Sequence, residues 1–104
     1  MSFRRYEIIL PTRHNDGTPV EQEKFFQTNR ELASRFGGVS FLPDTLRGVW
    51  IHEGHAYEEG NVRLFVDVND TQANAEFFMH FKETLKERFR QIEIWIVSYE
   101  IRIT

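Results

Sequence analysis

The stretch Asn61-Val-Arg-Leu-Phe-Val-Asp-Val-Asn-Asp70 decides the fold, because it contains the end of one strand and the beginning of a helix. Between residues 62 and 68, aliphatic side chains alternate with Arg63, Phe65 and Asp67. This alternation of period two predicts a strand whose two faces differ, one apolar and one polar or aromatic.

The residues that follow this strand predict a helix with Asn69-Asp70 as its N-terminal cap. Basic residues crowd its C-terminal half, where the helix dipole favours them. Its apolar residues recur at helical spacing and form one stripe, Phe78, Phe81, Leu85 and Phe89. Beyond this helix a last strand is expected from Ile92 to Ile103.

Upstream, residues 47–52 predict a strand that reverses at Glu53-Gly54 and returns from His55 to Val68. A two-residue connection that ends in glycine is typical of a tight hairpin turn. In such a hairpin, residues directly opposite each other place their side chains on the same face. The expected register pairs His52 with His55 and Trp50 with Tyr57.

The chain begins with a short apolar strand, Tyr6 to Leu10, followed by a loop and the first helix. Thr18 is expected to cap this helix, with Pro19 in its first position and Glu21 completing a capping box. Gly37-Gly38 supplies the left-handed residue that ends such a helix.

The order strand, helix, hairpin, helix, strand predicts an α+β fold, a ferredoxin-like βαββαβ sandwich. Right-handed crossovers place both helices on one face of a four-stranded antiparallel sheet with the strand order four, one, three, two. The 104 residues, of which 40% are hydrophobic, suffice for one core, so residues 1–104 are expected to form a single domain.

The uncovered sheet face is the expected place of function, because contiguous exposed apolar patches mark interaction surfaces. Self-association as a homodimer is expected to cover this face. A small-molecule pocket between sheet and loops is the alternative, and the two are compatible. The candidate ligand or interface residues are Trp50, His52, His55, Tyr57, Arg63, Phe65, Asp67 and Trp95.

The sequence names no catalytic residue and leaves open whether the protein is an enzyme. It contains no cysteine, no glycine-rich phosphate loop and no nucleophile elbow, so no cofactor is expected. The pair His52 and His55 brings two imidazoles together, but a stable metal site needs three or four ligands, and no metal is expected.

Charge and hydropathy restrict the partners. The net charge is −3 and the isoelectric point is about 5.8, so the basic stripe of a nucleic-acid-binding protein is missing and nucleic acid is not expected. The longest apolar run, Ile94 to Val97, is far too short for a membrane span, and the N-terminus lacks a signal peptide. A cytoplasmic protein is expected.

Six short segments carry a resemblance to known proteins: Asn15-Asp16-Gly17-Thr18-Pro19, Phe36-Gly37-Gly38, Gly48-Val49-Trp50, Tyr57-Glu58-Glu59, Phe89-Arg90-Gln91 and Ile94-Trp95. Through them the chain resembles an uncharacterised family of small bacterial ferredoxin-like proteins. It is also similar, more remotely, to the DUF3574-like family of short secreted or lipid-anchored proteins, although it lacks their export signal. The resemblance implies the fold and no established activity.

The function expected from these observations is a homodimeric binding or interaction module that uses its aromatic sheet face. Two alternatives remain open. One is an enzyme of the dimeric α+β barrel type, a cofactor-free monooxygenase or isomerase, with His52, Arg63 and Asp67 as candidates. The other is a regulatory domain that senses a small ligand.

Overall fold

A computed structural model describes the backbone of residues 2–104 and the side chains of residues 2–42, 53–54 and 60–104. Neither helix is long and apolar enough to cross a membrane within these described residues. The six elements are β1 (Phe3–Pro11), α1 (Gln22–Phe36), β2 (Ser40–His52), β3 (His55–Asn69), α2 (Gln72–Arg88) and β4 (Trp95–Ile101).

The four strands form one antiparallel sheet with the order β2-β3-β1-β4, as the sequence predicts. Side chains from both helices join one buried cluster with the even-numbered residues of β1 and β3. The other face of the sheet carries no helix. The ferredoxin-like α+β fold is therefore confirmed.

The core lies between the helices and the helix-facing side of β1 and β3. Ile8, Leu64, Leu32 and Leu85 are completely buried, one from each of these four elements. Burying an aliphatic side chain of this size contributes about 1.5–3 kcal/mol. This contact between sheet and helices fixes which strand residues point away from the helices.

Helix α1 begins later than the capping box predicts. Its N-terminal cap is Glu21, whose side chain caps no backbone amide. Thr18 instead donates its backbone N–H and its hydroxyl to Oδ1 of Asp16, at 2.9 and 2.6 Å. The predicted start is wrong because this local turn takes the Thr18 hydroxyl, and because Val20 is buried with its N–H bonded to the carbonyl of Thr12.

Helix α2 also begins at a different cap from the expected Asn69-Asp70. Thr71 occupies the cap position, and its hydroxyl accepts the backbone N–H of Asn74 at 3.2 Å. Asn69 remains the last residue of β3, paired with Phe3. The predicted cap is wrong because the strand continues through Asn69 before the helix can start.

Strand β4 is shorter than the expected Ile92 to Ile103. Ile92 is 90% exposed outside the sheet, and Ile94 is buried in the core just before the strand begins. All seven residues of β4 pair with β1, which is longer at its N-terminal end than the sequence indicates. The predicted bounds of the last strand are therefore wrong at both ends.

Strands β2 and β3 extend beyond the end of β1. Strand β1 pairs only with residues 61–69 of β3, so residues 47–52 and 55–60 pair as a two-stranded ribbon beyond β1. Glu53 and Gly54 form its turn with φ angles of 51° and 80°, as in the tight hairpin turns that require two left-handed residues. A register shift lies between Leu42 and Leu46, where the ribbon leaves the main sheet.

We expect Gly37→Ala to lower the free energy of unfolding by about 1 kcal/mol. Gly37 ends α1 with φ at 86°, and a residue with a Cβ has a higher conformational energy there than glycine. Gly38→Ala is the matched control, since Gly38 has an ordinary φ and open space around its Cβ position. Urea unfolding of both variants measures the difference. Equal loss in both variants would contradict this role of Gly37.

Candidate functional site

The side of the sheet that faces away from the helices is called the open face below. Antiparallel pairing sets residues of neighbouring strands side by side, so the open face is built in rows across β3, β1 and β4. The rows are Asn69, Phe3 and Ile101, then Asp67, Arg5 and Tyr99, then Phe65, Glu7 and Val97, and then Arg63, Ile9 and Trp95.

Arg5 forms a two-pronged contact with a carboxylate on the open face. Its Nε and Nη2 donate to the two carboxylate oxygens of Asp67 at 2.7 and 3.0 Å. The same guanidinium lies 4.2 Å from the ring centroid of Phe65. The pKa of Arg5 is raised above its ordinary value, mainly by the hydrogen bond to Asp67. This arrangement covers Phe65 with a cation that is already paired.

Glu7 is the second charged centre of the open face. The Tyr99 hydroxyl donates to Glu7 Oε1 at 2.7 Å, and Arg63 Nη1 lies 4.0 Å from Glu7 Oε2. The pKa of Tyr99 is raised, first by this hydrogen bond and then by loss of solvent around the hydroxyl. Arg63 Nε is buried and has no hydrogen-bond partner among the residues whose side chains are described. Both carboxylates of these rows therefore have a partner on the face itself.

Strand β4 brings apolar surface to the outer margin of the open face. Trp95 is 65% exposed and Tyr99 is 42% exposed, with Val97 between them along the same side of the strand. Strand β4 is also an edge strand, because its only neighbour in the sheet is β1. This margin therefore combines exposed rings with an unpaired backbone edge.

The candidate residues of the sequence analysis divide into two groups. Arg63, Phe65, Asp67 and Trp95 lie on the open face, as their register with β1 requires. For the other four, the backbone register is the expected one, but their side chains lie outside the described residues. These four form the pairs Trp50 with Tyr57 and His52 with His55.

Two of the candidate residues, Arg63 and Asp67, have different partners: Asp67 binds Arg5, and Arg63 approaches Glu7. The contact of Tyr99 with Glu7 is not predicted from the sequence. Tyr99 pairs with Arg5, which precedes the predicted start of the first strand at Tyr6. A first strand extended to Phe3, together with the period-two alternation of β4, would have predicted that Tyr99 lies on the open face.

Across residues 2–42, 53–54 and 60–104, no group of three or more His, Asp or Glu side chains is arranged to hold a metal ion. On the open face, Glu7 and Asp67 are occupied by Arg63, Tyr99 and Arg5. The open face is therefore a surface of aromatic rings and of ion pairs whose opposite charges nearly cancel.

We expect Tyr99 to ionise above its ordinary pKa of 10.0 and Glu7→Gln to lower that pKa, because the variant removes the negative charge beside the phenol. Ring-labelled tyrosine NMR resolves the titration of each tyrosine. Glu23→Gln, which changes an exposed carboxylate on α1, is the control. An unchanged Tyr99 pKa in Glu7→Gln would contradict the contact.

Comparison with known proteins gives no match to a protein-family model and none to a curated protein. Solved structures do match along almost the whole chain. A CutA1 divalent cation tolerance protein of Thermus thermophilus has a TM-score of 0.65 and 17% identity, over 98% of this chain and 86% of that one. CutA1 of Oryza sativa has a TM-score of 0.68 and 11% identity, over 100% of this chain and 84% of that one.

A third match is a phage SAM lyase solved in complex with S-methyl-5'-thioadenosine. Its TM-score is 0.68 at 17% identity, and the match covers 98% of this chain and 90% of that one. At these identities the likeness establishes the shared fold. It does not by itself assign an activity to this chain.

These matches overturn three expectations. The expected relationship to an uncharacterised, DUF3574-like family is wrong, because the structural neighbours are CutA1 proteins and a phage SAM lyase. The expectation of a homodimeric binding module, with a barrel-type enzyme or a ligand sensor as alternatives, is wrong for the same reason. The expectation of a family of unknown function is wrong as well, because the matched CutA1 structures are described as divalent cation tolerance proteins. The short turn and capping motifs did not identify the correct relatives, because they reflect local backbone geometry that unrelated chains share.

Proposed function

We propose that this chain is a CutA1-type protein that self-associates and contributes to the tolerance of divalent cations. The observation that carries the proposal is the match to CutA1 structures along the whole chain, including the four-stranded sheet and both helices. We place the protein in the cytoplasm, in line with the expectation from the sequence.

The β2–β3 ribbon supports self-association. Residues 47–52 and 55–60 extend beyond β1, and no third strand of the described sheet pairs with them. An isolated two-stranded hairpin is marginally stable in water, and a further strand or packed surface stabilises it. A second copy of the chain would supply such a surface.

The open face supports self-association in a second way. Trp95, Val97 and Tyr99 are exposed along the edge strand β4, where another chain can pair with the backbone and bury the rings. Burying charges is costly unless they have partners. Because Arg5 already binds Asp67 and Tyr99 already binds Glu7, a second copy could cover this face without leaving these groups unpaired.

The hairpin suggests where a cation would bind. Its register places His52 opposite His55 across a two-residue turn. Imidazole is a ligand for zinc, copper and nickel, but two ligands hold such an ion weakly. We therefore place the cation at a contact between copies, where two hairpins would together supply the ligands that one lacks. This proposal replaces the expectation of no metal.

We expect Trp95→Asp to weaken self-association, because it places a charge in the apolar margin of the open face. Ile92→Asp is the matched control, since Ile92 is even more exposed but lies outside the sheet. Light scattering coupled to size exclusion, over a range of concentrations, measures the mass of each variant. A wild-type protein that remains monomeric at all concentrations would refute the self-association.

We expect expression of this chain to restore growth of a bacterium lacking its own CutA1 in copper, zinc or nickel salts. The double variant His52→Ala/His55→Ala should lose this rescue, whereas His80→Ala, which changes an exposed histidine on α2, should retain it. Absence of rescue by the wild-type chain would refute the cation role and leave the scattering result standing. Rescue by the double variant would refute the site.

The phage SAM lyase match supplies a second candidate function, breakdown of S-adenosylmethionine. It is favoured by the exposed ring of Trp95 on the open face, since a sulfonium cation is attracted to aromatic faces. Mass spectrometry would detect S-methyl-5'-thioadenosine formed from S-adenosylmethionine. No product above a protein-free control would exclude this candidate.

A further inference from the structure

A cavity of about 510 Å³ lies at the end of the sheet where β1 begins and β3 ends, and we call it the sheet-end cavity. Its volume falls in the range of small-molecule sites. By strand register, Phe3, Asp67 and Asn69 of its wall also belong to the open face, and the other lining residues do not. The lining residues are Phe3, Arg35, Phe36, Asp67, Val68, Asn69 and Asn74.

Arg35 is the cation in the wall of this cavity. Its guanidinium lies 4.3 Å from the ring centroid of Phe77 and 5.6 Å from that of Phe36. Within the part of the chain whose side chains are described, it makes no hydrogen bond or ion pair. By contrast, Arg30 on the same helix binds Glu23 at 2.7 Å, and Arg88 on α2 binds Glu31 at 2.8 Å. The two rings hold the Arg35 guanidinium in place while its N–H donors remain available.

The charges around the cavity leave the positive charge of Arg35 uncompensated. Asp67 is bound by Arg5, and Asp70 is bound by Arg4 Nε at 3.0 Å. The first turn of α2, which begins beside the cavity, carries no acidic side chain to offset its positive dipole end. An anion in the cavity is therefore attracted by the guanidinium of Arg35. The carboxylates of Asp67 and Asp70 repel it little, because each is already paired with an arginine.

The remaining lining is suited to a planar ring with one polar substituent. Phe3 and Phe36 provide aromatic surface. Asn74 donates its amide N–H to the carbonyl of Asn69 at 2.8 Å, which leaves its amide oxygen as an acceptor. A guanidinium prefers a carboxylate because two N–H groups can bind its two oxygens at once, and a ring gains by stacking on phenylalanine.

We infer that the sheet-end cavity binds a small aromatic carboxylate, with the carboxylate on Arg35 and the ring against Phe3 and Phe36. This inference does not depend on the proposed role in cation tolerance. The site uses residues of one chain, and its occupancy requires neither a metal ion nor a second copy.

The test is a titration of the full chain with 2-naphthoate, followed by calorimetry and by NMR of the side-chain amides of Asn69 and Asn74. We expect binding of 2-naphthoate, with amide shifts at both residues, and binding about tenfold or more weaker for the neutral 2-naphthamide and for acetate, which each lack one half of the contact. Arg35→Gln should weaken 2-naphthoate binding by a similar factor. Arg30→Gln is the matched control and should bind as the wild type does.

Three results would overturn the inference. The first is the absence of binding at millimolar 2-naphthoate. The second is equal affinity of the wild type and Arg35→Gln. The third is binding that leaves the amide signals of Asn69 and Asn74 unchanged, because the ligand would then lie elsewhere. Circular dichroism of Arg35→Gln verifies that a loss of binding does not come from unfolding.

Discussion

The rest of the structure depends on the pairing of β1 with two neighbours, β3 on one side and β4 on the other. Because β1 lies inside the sheet, every second side chain faces the helices and the others face away. Ile8 and Leu10 are thereby completely buried, while Arg5 and Glu7 precede them in sequence and lie on the opposite face. A shift of one residue would exchange the two sets, which would place both charges in the core.

That constraint also explains the chemistry of the open face. Arg5 and Glu7 are carried by a strand with neighbours on both sides, so each charge meets residues of β3 and β4 in its own row. Asp67 neutralises Arg5, and Tyr99 together with Arg63 contacts Glu7. The face is therefore polar yet nearly neutral, a combination suited to contact with another protein surface. Exposed pairs of this kind contribute little to stability and more to the choice of partner.

Two surfaces of the fold carry the proposals. The open face and the ribbon beyond it carry the proposed self-association. The sheet-end cavity lies where the first residues of β1 meet the end of α1 and the start of α2, and its cation is held by rings rather than by a carboxylate. By strand register, Phe3, Asp67 and Asn69 of the cavity wall also belong to the open face. Because Asp67 binds Arg5, it does not compensate the charge of Arg35.

The sequence by itself determined the order of the elements, the strand order and the faces of β3. These features depend on alternation and on glycine positions such as Gly37 and Gly54, which act within a few residues. The helix caps and the length of β4 were misjudged, because Thr18 and Asn69 had tertiary or turn partners that a local motif does not reveal. The fold could thus be predicted, and its element boundaries only in part.

Only the tertiary structure decided which residues form the sites. The contacts of Glu7 with Tyr99 and of Arg5 with Asp67 join residues 92 and 62 positions apart. The cavity around Arg35 likewise combines the ends of elements that are distant in sequence. Alternation states which face a side chain occupies, but the row in which it lies depends on strand register. Register is set by packing of the whole core, and for that reason it cannot be predicted from any one segment of the sequence.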